Sequence, residues 1–479
     1  MKNLGNNIIT GLFWRFGERI FAQGVSFIIS LILARLLTPN DYGIVAILLI
    51  FIDIANVFVV SSFGVALVQK KDADQLDFSS VFYFNVALSF GIYGLLFMVA
   101  PYIETFYSID GLASLLRLLS LKLILSGANS VQQAYVQRNM LFKKFFFSTL
   151  IGTLISAVVG IYMAYKGFGP LALVCQYLTN SLIDTVVLFV TVKWRPIKQF
   201  SIQRLIPLIQ YGWKILVAGL LGTFYMNLRS FVIGKRYSTD DLAYYNQGQK
   251  FPQLLVTNLN TAIDSVLLPA MAQVQNNQEQ LKQLIRQSIS YASLIMWPLM
   301  IGLLTVSENL VILLLTEKWL PCLPFMWLAC LQFALEPVQT ANLQAIKAVG
   351  RSDIILKLEI IKKGYGILIL LLTMKYGVFA IALGGVTQTF VATICNTYPN
   401  RKLLGYRYRE QIKDLFPSIG MSLVMGALVL GIGKLFNSPL IALIIQVVSG
   451  IVIYIILVYL FNRDMFESVI QKMKKILGK

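Results

Sequence analysis

Apolar stretches of near-bilayer length recur along the chain, at 43–60, 86–103, 294–306, 419–433 and 440–461, each set off by polar breaks. A helix needs about 20 predominantly apolar residues to cross the hydrocarbon core, so this pattern predicts spanning helices. Marking each run by its breaks predicts about 14 of them. They lie near 10–36, 41–66, 79–103, 111–136, 145–166, 170–192, 206–234, 241–270, 284–315, 321–349, 353–374, 377–398, 415–435 and 438–461. Residues 464–479 read differently. Phe466, Val469, Ile470, Met473 and Ile476 share one side and the lysines another, as in a helix lying in the interface.

One span departs from the apolar pattern. Asn246, Lys250, Gln253, Thr257, Asn260 and Asp264 recur at spacings of 4, 3, 4, 3 and 4. At about 100° per residue they form a stripe roughly 80° wide, and the rest of the helix presents leucines, Phe251, Val256 and Ile263. Such a stripe predicts the wall of a wet cavity, because lipid offers these groups no partner.

Composition agrees. With 57% hydrophobic and 13% charged residues, a chain of 479 residues has too little polar surface to be a soluble protein. The fold class is therefore all-α, a polytopic membrane protein. The net charge of +19 could suggest nucleic acid, but the positions of the cations argue otherwise. Counted by alternate connections, about 25 fall on one side and about 6 on the other, the positive-inside bias that places both termini in the cytoplasm. No nucleic-acid partner is implied. The opening MKNLGNNIIT is too polar for the core of a signal peptide, so the first helix is expected to remain in the mature protein. Cys175, Cys322, Cys330 and Cys395 lie in apolar segments without CxxC spacing and read as packing thiols. Histidine is absent, which removes His-based acid–base chemistry and the commonest zinc ligand.

The chain also resembles itself at an offset near 200. Trp14-Arg15 aligns with Trp213-Lys214, and ARLLTPNDYG (34–43) with GKRYSTDDLA (234–243). VQQAYVQ (131–137) aligns with VQTANLQ (338–344), and FGPLAL (168–173) with YGVFAI (376–381). Ordered matches of this kind predict two six-helix halves related by a pseudo-two-fold along the membrane normal. The expected organisation is an N-terminal lobe over 1–204, a C-terminal lobe over 205–413, and two further helices with a basic amphipathic tail over 414–479. No connection is long enough to hold a catalytic domain.

There is no GxxxxGK[ST] motif for ATP. The DAD at 72–74 resembles a glycosyltransferase metal motif but reads better as a solvated turn beside Lys70 and Lys71. Neither metal nor cofactor is implied. The informative residues are charges inside spans, each costing about 2.5–3.5 kcal/mol if central and unpaired. Arg15, Arg19 and Gln23 share one face of the first helix, with Glu18 beside them. Lys214 is the repeat-mate of Arg15, and Lys250 lies on the polar stripe. Snorkelling or structural pairing is the plain alternative for each, as for Lys362 and Lys363 near Glu359. Taken together, cations from three helices predict a wet, cationic cavity between the halves, suited to an anionic substrate.

Across nearly its whole length the chain resembles the Wzx-like polysaccharide transporters, lipid-linked oligosaccharide flippases of the MATE-related superfamily, in the colanic acid and teichuronic acid exporter group. LARLLTPNDYG (33–43), FGVALVQKKD (63–72), SSVFYFN (79–85), QRNMLFKK (137–144), PLALVCQ with KWRP (170–196), YYNQGQK with LLPAMAQVQ (244–275) and GRSDIILKLE (350–359) carry the resemblance.

The resemblance implies a non-enzymatic flippase in a bacterial cytoplasmic membrane. Its substrate would be an oligosaccharide repeat on undecaprenyl pyrophosphate, moved by alternating access among membrane lipids, with polysaccharide polymerase or assembly proteins as partners. Relatives place basic residues on helices 1, 2 and 8. Here the second span has only Asp53, and Lys214 or Arg229 on the seventh can substitute. The pyrophosphate site is thus expected at Arg15, Arg19, Lys214, Lys250 and Arg229. Glycan contacts are expected from Gln23, Asn246, Gln253, Thr257 and Asn260, and ion coupling from Glu18, Asp53 and Asp264. A MATE-like multidrug antiporter is the alternative, although a cationic drug would want an acidic cavity. A membrane-embedded glycan polymerase or transferase would want a large outer loop or a catalytic histidine.

Overall fold

The computed structural model describes residue 17 and residues 22–60 and 63–476. All regular elements among them are helical: α1 (Ala22–Leu36), α2 (Pro39–Val60), α3 (Phe63–Gln69), α4 (Gln75–Tyr107), α5 (Leu112–Arg138), α6 (Phe142–Tyr165), α7 (Pro170–Thr191) and α8 (Ile202–Arg236). There follow α9 (Thr239–Gln273), α10 (Gln278–Leu314), a 3₁₀ turn (Glu317–Cys322), α11 (Leu323–Ala334), α12 (Glu336–Ala348), α13 (Ser352–Thr373), α14 (Val378–Leu404), α15 (Tyr408–Gly433), α16 (Pro439–Phe461) and α17 (Arg463–Ile476).

Twelve spans among the described residues are long and apolar enough to cross a membrane. The expected count of about 14 differs at two positions. Only part of the first span is described, as α1, and α13 carries Asp353, Lys357, Glu359, Lys362 and Lys363. Two further spans are not single helices. The segment expected at 41–66 divides into α2 and α3, and that at 321–349 into the 3₁₀ turn, α11 and α12. In the second case Pro321, Pro324 and Pro337 withhold amide donors, so the ladder restarts after each.

Contacts divide the chain into two compact units, Met1–Ala243 and Tyr244–Lys479. This boundary follows packing, whereas the boundary expected at 204/205 follows the sequence repeat. The two differ because α8 packs against α2, α3 and α4. In the first unit Phe63, Leu67, Phe78, Val131, Phe145, Leu188 and Trp194 make one apolar core across α3 to α7. In the second, Met296, Met300, Phe333 and Met425 form one cluster and Met271, Ile285, Val338 and Tyr406 another.

Lipid tails are as apolar as leucine, so burying hydrocarbon gives these helices little reason to associate; close packing and buried polar pairs do. Asn85 Nδ2 donates to Ser130 Oγ at 2.9 Å, joining α4 to α5. Asp184 of α7 accepts from Asn129 of α5 at 2.7 Å and from Ser148 of α6. In the second unit Asn342 Nδ2 donates to Gln411 Oε1 at 3.0 Å and Asn400 Nδ2 to Asn342 Oδ1 at 2.7 Å, which ties α12, α14 and α15 together. Gly248 lets α9 meet the end of the 3₁₀ turn; a Cβ there would lie 2.7 Å from the Cys322 carbonyl oxygen.

Local geometry recurs where the sequence matched itself. At the start of α2, Thr38 Oγ1 donates to Asp41 Oδ2 at 2.7 Å and accepts from the Asp41 amide at 3.2 Å. At the start of α9, Ser238 and Asp241 repeat this at 2.7 and 3.0 Å. Each pair satisfies amide donors that a helix N-terminus leaves open. The two starts also touch, within the first unit: Thr239 Oγ1 donates to Asn40 Oδ1, and a Cβ on Gly43 would lie 2.0 Å from the Thr239 carbonyl oxygen. Likewise Gly169 and Gly377 precede α7 and α14 with φ of 54° and 104°.

Candidate functional site

Each predicted residue is taken within its own unit. Arg15, Glu18 and Arg19 lie outside the described residues. In the first unit, Gln23 is half-buried on α1, Lys214 is exposed on α8, and Arg229 is half-buried further along α8 and engaged by a neighbour.

Asp53, expected as a coupling carboxylate, is exposed on α2. It interacts electrostatically with Lys122 of α5, whose Nζ sits 5.6 Å from the centre of the Tyr177 ring of α7. A carboxylate, an ammonium and a phenol from three helices thus share one place inside the first unit. An aromatic face is a favourable seat for an ammonium away from water. Lys122 was visible in the sequence as an intramembrane cation; its neighbours were not, because they lie far apart in the chain.

In the second unit the polar stripe of α9 divides in two. Its upper part keeps Asn246, Lys250 and Thr257 half-buried and Gln253 exposed. Asn246 is engaged by a neighbour, whereas Lys250 makes no hydrogen bond or ion pair among the described residues. The helix is interrupted beside it by Pro252, which withholds one ladder donor.

The lower part is turned to α12. Asn260 Nδ2 donates to Glu336 Oε2 at 3.1 Å, and Gln344 Nε2 donates to Asp264 Oδ1. The sequence reading did not link Glu336 and Gln344 to the stripe. Eight residues separate them, and the register that pairs each with α9 is set by the break at Leu335. The carbonyl oxygens Asn260 Oδ1 and Gln344 Oε1 are buried and accept nothing. Two carboxylates with amide donors can hold a proton or remain ionised, so this seam can change charge where Lys250 cannot find a counter-ion.

Among the other cations, Lys362 donates to Glu359 Oε1, the pairing expected of it. Arg138 donates to the carbonyls of Leu67 and Lys71, at 2.8 and 2.6 Å, and closes the C-terminal end of α3. These are structural uses of positive charge. All four cysteines are free.

Residues 32–324 match the model of a polysaccharide biosynthesis protein family. The lipopolysaccharide biosynthesis protein WzxC of Escherichia coli is 25% identical over 88% of this chain and 86% of its own length. The succinoglycan biosynthesis transport protein ExoT of Rhizobium meliloti is 24% identical over 95% of this chain and 94% of its own. The teichuronic acid biosynthesis protein TuaB of Bacillus subtilis is 22% identical over 74% of each. Among solved structures, the lipid II flippase MurJ in an inward closed conformation superposes with a TM-score of 0.77 at 14% identity, covering 94% of this chain and 99% of that one. An inward-facing multidrug resistance MATE family transporter superposes with a TM-score of 0.61 at 16% identity, over 80% of this chain and 94% of that one. At such identities these structures establish the fold.

Proposed function

The chain belongs to the polysaccharide biosynthesis protein family, and from that membership we propose that it flips a lipid-linked oligosaccharide across the cytoplasmic membrane for a surface polysaccharide. The carrier in this reading is undecaprenyl pyrophosphate. Lys250, with Arg15, Arg19, Lys214 and Arg229, receives the pyrophosphate, and the amides of Gln23, Asn246 and Gln253 meet glycan hydroxyls. Both termini lie in the cytoplasm. Relatives named for lipopolysaccharide, succinoglycan and teichuronic acid support the substrate class, and the fold shared with a lipid II flippase supports the act.

The observation that carries the reading is Lys250. A half-buried ammonium without a partner on a membrane helix is costly, and a site that must meet an anion justifies the cost. A charge-assisted contact contributes roughly 1.5–3 kcal/mol, so a few hold a pyrophosphate without trapping it. Release then needs a second state that binds more weakly, driven from outside. Asp53 beside Lys122, and Asp264 and Glu336 with their amides, are the groups through which a proton or cation gradient would act.

The test is deletion of the chain in its host, followed by assay of which leaflet accumulates lipid-linked oligosaccharide. Accumulation on the inner leaflet, reversed by the wild-type chain, is expected; an unchanged distribution would remove the reading. The fold shared with a MATE transporter also admits a drug antiporter. That alternative predicts drug sensitivity after deletion, with the oligosaccharide distribution untouched.

A further inference from the structure

A second polar site lies away from the stripe, at the basic end of the second unit. Between α10, α15 and the junction of α16 with α17 is a cavity of about 370 Å³. Arg286, Ser290 and Tyr291 line it from α10, Lys413 and Asp414 from α15, and Asn462 from the junction.

Its charges do not cancel. The Asp414 carboxylate is already occupied, its Oδ1 accepting from Arg286 Nη2 and its Oδ2 from the Tyr406 hydroxyl, both at 2.8 Å. Arg286 remains 54% exposed at its side chain while Asp414 is only 9% exposed, so the guanidinium and not the carboxylate meets an incoming group. Lys413 is exposed and makes no hydrogen bond or ion pair among the described residues. The nearby acid Glu410 is held by Lys282 at 3.0 Å, and Glu467 of α17 by Arg463 at 2.9 Å. One ammonium, the outward donors of one guanidinium and the amide of Asn462 are left facing the cavity. That donor set fits a phosphate oxyanion.

The surroundings indicate an amphiphile. α16 spans the membrane and ends at Phe461, so its junction with α17 marks where the chain leaves hydrocarbon. Phe416, one turn from Lys413, and Phe461, next to Asn462, are exposed large hydrophobic residues. The Tyr291 hydroxyl and Ser468 Oγ, 2.8 Å apart, hold the first half of α17 beside α10 at the edge of the cavity. A phosphate seated here has acyl-chain surface directly alongside.

We propose that this cavity binds the headgroup phosphate of an anionic phospholipid and so fastens α17 to the membrane surface. The proposal concerns a resident lipid. It rests on the membrane placement of the chain and is independent of what the chain transports.

The test uses the full chain, purified and delipidated in neutral detergent. Bound lipid is read by native mass spectrometry, and thermal stability on titration with dioleoylphosphatidylglycerol, dioleoylphosphatidylcholine or inorganic phosphate. Phosphatidylglycerol is expected to bind and raise the melting temperature, with phosphatidylcholine and phosphate much weaker. Lys413→Gln should weaken phosphatidylglycerol about tenfold, and Lys413→Arg should restore it. Lys375→Gln, on another exposed lysine remote in sequence, should change nothing. If Lys413→Gln lowers stability without added lipid, the affinity of Lys413→Arg against Lys413→Met decides. Equal binding of the two phospholipids, or no dependence on Lys413, overturns the proposal. Inorganic phosphate that binds as well as phosphatidylglycerol, with the same dependence on Lys413, makes this a phosphate site and overturns the lipid. None of these outcomes depends on oligosaccharide transport.

Discussion

Lys250 and Asp264 lie on one stripe of one helix, yet the structure gives them opposite circumstances. Asp264 is held by Gln344, while Lys250 has no partner among the described residues. A residue kept for stability is expected to be paired, and one kept for a ligand is expected to wait. Lys250→Gln should therefore leave the amount of inserted protein unchanged and lower transport steeply. Loss of a contact of roughly 2 kcal/mol corresponds to about 30-fold weaker binding. Lys250→Arg should retain much of the activity, and Lys250→Glu should be worst because it repels an anion. The measurement is transport normalised to membrane-inserted protein; a normal value for Lys250→Gln would remove the residue from the site. Part of this was legible beforehand. The spacing of the stripe exposed Lys250, but only tertiary contact could show that Asn260 and Asp264 are taken up by Glu336 and Gln344.

At the scale of elements, helix starts bear much of the local specification. Asp74 caps α4, accepting from the Asp77 amide at 2.9 Å, while Asp77 Oδ2 accepts in return from the Asp74 amide at 3.1 Å. These bonds hold the Asp74 carboxyl below the usual carboxylate range, the Asp77 amide contributing most. A carboxyl with a depressed folded-state pKa stabilises the fold above its unfolded pKa and loses that contribution as pH falls through the folded one. Asp74→Ala should cost about 1 kcal/mol near neutrality. The gap to wild type should close as melting is followed from pH 6 towards pH 3; a gap constant across that range would show that the carboxylate is not what matters. Gly43 supplies a steric counterpart. Its Cβ would strike the Thr239 carbonyl, so Gly43→Ala should destabilise by about 1–3 kcal/mol. Gly222→Ala, with nothing within 4 Å, should be neutral or stabilising in the same thermal melts.

Helix positions were legible because each bilayer-length run has to form one, and caps because Thr-x-x-Asp and Ser-x-x-Asp declare them. The breaks at 61–62 and Leu335 were hidden, since neither interrupts the apolar pattern. The repeat was readable as sequence. Packing was less so, as α8, assigned by the repeat to the second half, lies against α2 and α4.

For the whole molecule, the distribution of charge makes an orientation testable. Single cysteines at Asn40, Asp110 and Lys318 should react with a membrane-impermeant reagent from outside. Those at Gln199 and Lys402 should react only after permeabilisation. Labelling of Lys402→Cys in intact cells would reverse the assignment and move the phospholipid cavity to the outer leaflet.

The bonds from α9 to α12 also set an order in time. Asn260 and Asp264 find their partners 76 and 80 residues later in the chain. At about 5–20 residues per second of synthesis, α9 emerges roughly 4–15 seconds before Glu336 and Gln344 exist. Throughout that interval the helix carries an amide, a carboxylate and the Lys250 ammonium with no part of its own unit made to receive them. The nascent chain must keep α9 sheltered at the insertion machinery, or at the bilayer edge, until α12 arrives. A ribosome stalled before residue 336 should leave α9 extractable by alkali, and one stalled beyond 348 should leave it integrated.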